Sequence, residues 1–248
     1  MPLSEATFES ELDIFRKETD SAVQFFYAWR SMNEVAASSP SVLKAMNASP
    51  LFWMTTGGAL QLSGMIALGR IFDQERETHN IDRVIRIAQT NMHLFSHESL
   101  KERKRRSSSN AEVWIDEYMT NVYVPTIEDF RRLRRHVSAR RRVYEETYRP
   151  IRHKVFAHKM TISQSQVQEL FANAKIRELQ QLLIFLRRLH LALQELYLNG
   201  AKPILRPARF SSAQMRVAPS PYIRGATLQE RIVRETEAVL KSLPPPQR

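Results

Sequence analysis

Apolar residues recur at intervals of three and four along almost the whole chain, as in RELQQLLIFLRRLHLALQELYL, and no run alternates apolar with polar positions. Only a helix gathers such positions onto one face. Glycine, which weakens helix interiors, occurs only 6 times in 248 residues. The expected fold is therefore all-α: a helical bundle with a Pro/Arg-rich C-terminal extension and a short terminal helix.

Local signals divide the chain. A first helix is expected from Ser4 to Ala37, with Ser4 as N-cap and Pro40 marking its end. A second, from Leu51 to Phe72, carries almost no charge and is expected to be buried all round. A third runs from Ile81 to Phe95. KERKRRSSSN, Lys101 to Asn110, reads as an exposed loop, because a charge block followed by serines offers nothing to a core. Pro125 is expected at or near the first position of a fourth helix, and Pro150 to kink or restart it. The last long helix, from Ser165, should end at Asn199-Gly200, a C-cap signal. Residues 1–199 are thus read as one helical domain. Residues 200–248 are read as a basic Pro-rich extension closed by a short helix from Thr227 to Leu243.

The charge balance narrows the partners. Against 26 Asp+Glu stand 37 Lys+Arg, for a net charge of +11, which favours polyanions such as nucleic acid or an anionic membrane surface. Residues 131–159 hold 11 basic and two acidic side chains, +9; residues 101–106 add +4 and residues 200–225 add +5, leaving the remainder at −7. The excess thus has a location. Repulsion among so many arginines is costly without an anion, so Arg131, Arg132, Arg134, Arg135, Arg140, Arg141, Arg142, Lys154 and Lys159 are candidate RNA-binding residues. The bland alternative is a solvated helix face.

Absence of cysteine excludes a disulfide framework and thiolate zinc sites. The start, MPLSEATFESELDIF, is acidic where an export signal would be basic, so a cytoplasmic location is expected. From Ala45 to Gly69 no charged residue occurs, a length that could span a bilayer. Asn47, Pro50, Gln61 and four glycines within it favour a bundle helix, and no membrane partner is expected.

RPIRHKVFAHK, Arg149 to Lys159, concentrates the chemistry. On a helix, Tyr148, Ile151, Val155, His158 and Ile162 share one stripe, which sets His158 on an apolar seam. A core histidine is the ordinary explanation for such a position. Arg152 lies six residues earlier, about 120° around an ideal helix, so a joint Arg/His site requires the Pro150 kink, long side chains or a second copy of the chain. His93 and His97 have ligand spacing but no third ligand nearby, and no metal site is expected. Arg70 and Asp73 read as a local ion pair.

Arg152, His153, then Lys154-Val155-Phe156-Ala157 and His158 resemble the R-x(4-6)-H signature of HEPN domains. LGRIFDQERETHNIDRVI, Leu68 to Ile85, resembles the second and third helices of the abortive-infection (AbiU-type) branch. The polar residue after the arginine is commonly Asn in that branch and is His153 here. The resemblance implies a metal-independent endoribonuclease of a bacterial defence or toxin system, without cofactor, acting on RNA as a homodimer, with an antitoxin or phage-sensing partner. It implies Arg152 as phosphate clamp, His158 as acid/base group and His153 as helper. The residue types suit that chemistry, since histidine titrates near neutrality and arginine presents a fixed cationic fork. A non-catalytic helical module binding RNA or protein through the basic helix is the competing reading.

Overall fold

A computed structural model describes residues 5–157, 163–205 and 227–243. Among these residues every regular element is helical. The elements are α1 (Glu5–Ser38), α2 (Pro40–Asn47), α3 (Pro50–Ile71), α4 (Ile81–Thr90), α5 (His97–Ser107), α6 (Ile115–Met119), α7 (Ile127–Val143), α8 (Arg149–Ile151), α9 (Gln164–Asn173), α10 (Ile176–Asn199) and α11 (Leu228–Lys241).

The long helix α1 organises the bundle, packing against α3, α4, α10 and α11. Its Phe8, Phe15, Val23, Phe26 and Tyr27 are buried in one continuous core with Ile81, Ile85, Phe95, Phe130, Leu186 and Tyr197. Aromatic edges interlock at one end of that core: Phe8 lies 5.5 Å from Phe95 and 5.0 Å from Tyr197, ring centre to ring centre.

Helix ends follow their capping residues. Pro40 does not simply close α1; Ser39 accepts a hydrogen bond from the Val42 amide and Pro40 opens α2. Asn80 caps α4 by accepting from the Arg83 amide at 2.9 Å. Pro125 stands just outside the Thr126 N-cap of α7, close to the expected place but two residues before the first helical position. There the Thr126 amide donates to Asp129, which also receives the Tyr123 hydroxyl at 2.6 Å. The long C-terminal helix expected from Ser165 is two helices, α9 and α10, broken at Ala174. Gly200 ends α10 at φ 60°, and a Cβ there would also meet Val122 at 2.5 Å, so the position requires glycine twice over.

Two further expectations are overturned. Lys101 to Ser107 belongs to α5, not to a loop, because Arg103 is buried. Its guanidinium donates to Glu5 at 2.8 Å and to the Tyr197 carbonyl at 2.9 Å, and lies 4.0 Å from the Tyr197 ring centre. The charge block therefore ties α1 to the end of α10. Helix α3, expected to be buried all round, is buried mainly through its second half, at Gly64, Ala67, Leu68, Gly69 and Ile71, with Gly57 the one buried position before them. Its first turns project beyond the core, leaving Leu51 79% and Met54 73% exposed. Lack of charge had been taken for burial. By length and composition α3 is one helix here that could cross a membrane.

Candidate functional site

The basic helix α7 does not stop at Val143. It continues as a wide π-helical stretch, Tyr144–Tyr148, then α8, then a second π-helical stretch, Arg152–Ala157. Pro150 accounts for the irregularity: it has no amide proton for the preceding turn, and its ring crowds the carbonyl four residues back. Wide turns on either side relieve that conflict, and such turns recur at functional sites.

The segment is anchored by its apolar stripe. Tyr144, Tyr148 and Ile151 are buried, and the Tyr148 hydroxyl donates to the Lys175 carbonyl at 2.9 Å. This matches the expected seam through Ile151; His158 and Ile162 of the same seam, and Lys159 of the basic set, lie outside the described residues. Tyr144 stacks on Phe72 at 5.1 Å with the planes 18° apart. The segment also borders an apolar cavity of about 90 Å³ lined by Phe26, Trp29, Leu68, Tyr148, Ile151 and Phe156. Among the described residues its lining includes no carboxylate or imidazole.

Arg152 emerges half-buried between this segment and α3. Its side chain lies on the backbone of Gly69: a Cβ there would stand 2.6 Å from Nε and 2.7 Å from Cζ. Only glycine allows the guanidinium so close. Arg152 forms no ion pair among the described residues, whereas Arg103, Arg141 and Arg187 are paired with Glu5, Asp82 and Asp20. Burial raises the Tyr144 phenol above its ordinary pKa, and the neighbouring Arg152 guanidinium acts in the opposite direction. His153 and Lys154 are exposed beside Arg152.

The acids nearby are occupied. Asp73 accepts the Gln74 amide at 2.8 Å and the Glu75 amide at 3.3 Å, closing the turn after α3. Arg70 pairs with Glu18 at 3.2 Å, not with Asp73 as expected from their spacing. Glu145 receives the Gln74 side-chain amide.

The basic residues of α7 separate into two sets. Arg131 is paired with Glu128, Arg132 lies 3.9 Å from Asp129, Arg140 lies over the Phe185 ring at 5.8 Å, and Arg141 ties α7 to Asp82 of α4. Arg134, Arg135 and Arg142 are exposed and enter no ion pair among the described residues.

Gly69 and Tyr144 were not singled out from the sequence. The available signal was a glycine inside a helical pattern, which marks close approach of another group, and it stands within the LGRIFD stretch.

The family model HEPN_AbiU2, described as AbiU2, matches residues 5–217. The chain belongs to the AbiU2 family of HEPN domains. The AbiU2 match spans α1 to α10, including Gly69, Tyr144 and Arg152, and ends before α11. It places the protein among abortive-infection HEPN domains. No curated protein and no solved structure matches the chain significantly.

Proposed function

We propose that this AbiU2 protein is a metal-independent endoribonuclease of a bacterial defence or toxin system, acting in the cytoplasm at a cleft shared by two copies of the chain. The observation that carries the reading is Arg152. It is a cation held against Gly69 with no carboxylate to neutralise it among the described residues, in the segment that leads to His158. An arginine so placed suits a phosphate oxygen, which its planar fork can engage with two hydrogen bonds.

In the proposed reaction His158 takes the proton from a ribose 2′-OH. The oxygen attacks the adjacent phosphorus, Arg152 stabilises the charge that builds on the non-bridging oxygens, and the P–O5′ bond breaks as the 5′-oxygen receives a proton from a protonated histidine, His153 or the His158 of the second copy. The products are a 2′,3′-cyclic phosphate and a 5′-hydroxyl. His153 serves as helper, and Arg134, Arg135 and Arg142 form a phosphate track leading along α7. No cofactor is needed. An antitoxin or phage-sensing partner would restrain the activity.

The alternative is a binding module, favoured by the fact that the α7 track does not depend on the Arg/His motif. Purified protein incubated with RNA in excess EDTA separates them. Cleavage to cyclic-phosphate ends, lost in Arg152→Ala and in His158→Ala, supports the enzyme. Tight binding with no cleavage, unaffected by His158→Ala, supports the module.

A further inference from the structure

Where α6 meets the end of α10, a cleft of about 370 Å³ opens between Trp114, Glu117, Tyr118, Asn121, Val122 and Asn199, the size of a small-ligand site. Two aromatic rings form its corner: Trp114 and Tyr118 stand 5.6 Å apart, ring centre to ring centre, with their planes 81° apart. The corner is braced from behind. Trp114 and Tyr118 pack on the buried Leu100, Ala111, Ile115 and Met119, and the Tyr118 hydroxyl donates to the Asn199 carbonyl at 2.9 Å. Both rings are only half-buried, so rigid aromatic surface stays open to a flat ligand.

The polar groups around the corner decide what that ligand is. The Glu117 carboxylate is exposed and enters no hydrogen bond or ion pair among the described residues, whereas Glu112 and Asp116 beside it are paired with Arg105 and Lys101. Lys104 holds its ammonium 4.9 Å from the Tyr118 ring centre and 2.9 Å from Asn199 Oδ1. A free carboxylate at an aromatic corner would otherwise suit a cation, but Lys104 already stands over the ring and repels a second one. A neutral heterocycle carrying a phosphate satisfies all three groups, with rings to stack its base, a carboxylate to take its N–H donors and Lys104 to face its phosphate. Of the four RNA bases only guanine presents two adjacent N–H donors, N1–H and N2–H, to match the two carboxylate oxygens. Its neighbouring O6 accepts from the Asn121 amide, which gives one of its two hydrogens to Thr120 at 3.2 Å.

We propose that this cleft binds a guanine base, stacked at the Trp114–Tyr118 corner and held along its Watson–Crick edge by Glu117, with Lys104 on its phosphate. That the base belongs to an RNA strand rests on the ribonuclease reading; a free guanine nucleotide offers the same groups. The fold connects the cleft to the Arg152 segment. The Tyr123 amide donates to the Gly200 carbonyl at 2.7 Å, which sets the start of α7 beside the cleft. Helix α7, with Arg134, Arg135 and Arg142, then runs about 25 Å toward Arg152. A guanine lodged here lies several nucleotides from the bond that is cut and selects it without touching it.

Calorimetric titration with GMP, IMP and AMP tests the site. IMP lacks only the N2 amino group and should bind about 10-fold more weakly than GMP; AMP presents the wrong edge and should be weaker still. Glu117→Gln, at an exposed position, should weaken GMP about 10- to 100-fold and leave the melting temperature in place. Quenching of tryptophan fluorescence by GMP should vanish in Trp114→Phe, which keeps an aromatic face for stacking. Absence of GMP binding, equal affinity for GMP and AMP, or a GMP affinity unmoved by Glu117→Gln overturns the proposal. For guanine-bearing RNA, Glu117→Gln should raise KM about 10-fold with kcat retained. Cleavage indifferent to Glu117→Gln, in a protein whose GMP binding the variant abolishes, assigns the cleft to a free nucleotide. The same GMP binding in a protein that cuts no RNA upholds the guanine site and removes the nuclease reading alone.

Discussion

The guanidinium of Arg152 lies on Gly69, a residue of another helix, at a separation that no Cβ could tolerate. Because the atoms met by that Cβ belong to the end of a flexible side chain, Gly69→Ala should displace Arg152 with little cost to the bundle. Cleavage should fall about 10-fold or more and the melting temperature should move by no more than about 3 °C. Steady-state cleavage and thermal unfolding check both halves.

The shared cleft predicts complementation. Arg152→Ala and His158→Ala should each be inactive as homodimers, while mixed heterodimers retain one arginine and one histidine facing each other across the twofold and regain part of the activity. Co-expression with two affinity tags isolates the heterodimer. Verified heterodimers as inactive as their parents would argue against a site assembled from two chains.

If Arg134, Arg135 and Arg142 meet phosphates, the logarithm of RNA affinity should fall steeply with the logarithm of salt. The triple glutamine variant should flatten that slope by roughly 2, at about 0.7 per contact on a single strand. An unchanged slope would make α7 a solvated face.

His190 is buried in α10, and burial, reinforced by Arg16 and Arg187 against the opposing pull of Asp20, pushes its pKa down to about 4. The folded protein therefore keeps the ring neutral where the unfolded chain, with its value near 6.5, takes up a proton. Its contribution to stability is complete above pH 6.5 and is lost as the pH falls toward 4. Between pH 7 and pH 5 the urea midpoint should drop, and His190→Leu should reduce that drop.

Arg103 joins Glu5, Tyr197 and their helices. Replacing it with Met should destabilise the fold by about 2 kcal/mol, since the Tyr197 carbonyl loses its guanidinium donor and Glu5 keeps only Arg106. Urea unfolding should show the loss while cleavage per folded molecule stays constant.

The same residue shows where sequence reading stops. The helical period, the Asn199-Gly200 cap and the terminal helix from Thr227 were legible because each depends on neighbours within a turn or two. KERKRR was misread because its burial depends on Glu5, 98 positions earlier than Arg103. A charge run by itself cannot announce a distant carboxylate. Helix α3 was misread because an absence of charge is compatible with a core and with an apolar surface alike. At the site, Arg152 was named through the resemblance of the stretch from Arg152 to His158 to the R-x(4-6)-H signature, not through helical spacing, which sets the two residues apart. Gly69 and Tyr144 gain their meaning only when α3 and the π-helical segment meet. Arg70 and Asp73 have the spacing of an ion pair, yet three-dimensional competition from Glu18 and the backbone amides decided otherwise.

Helix α11 lies along α1, with Val233 in the main core and Leu240 set among Met32, Val35 and Val42. An emerging chain makes residues 5–38 long before residues 228–241. During synthesis one flank of the organising helix is therefore bare and apolar until the ribosome has delivered its cover. In that interval its own Arg152 segment already exists without a finished bundle around α1.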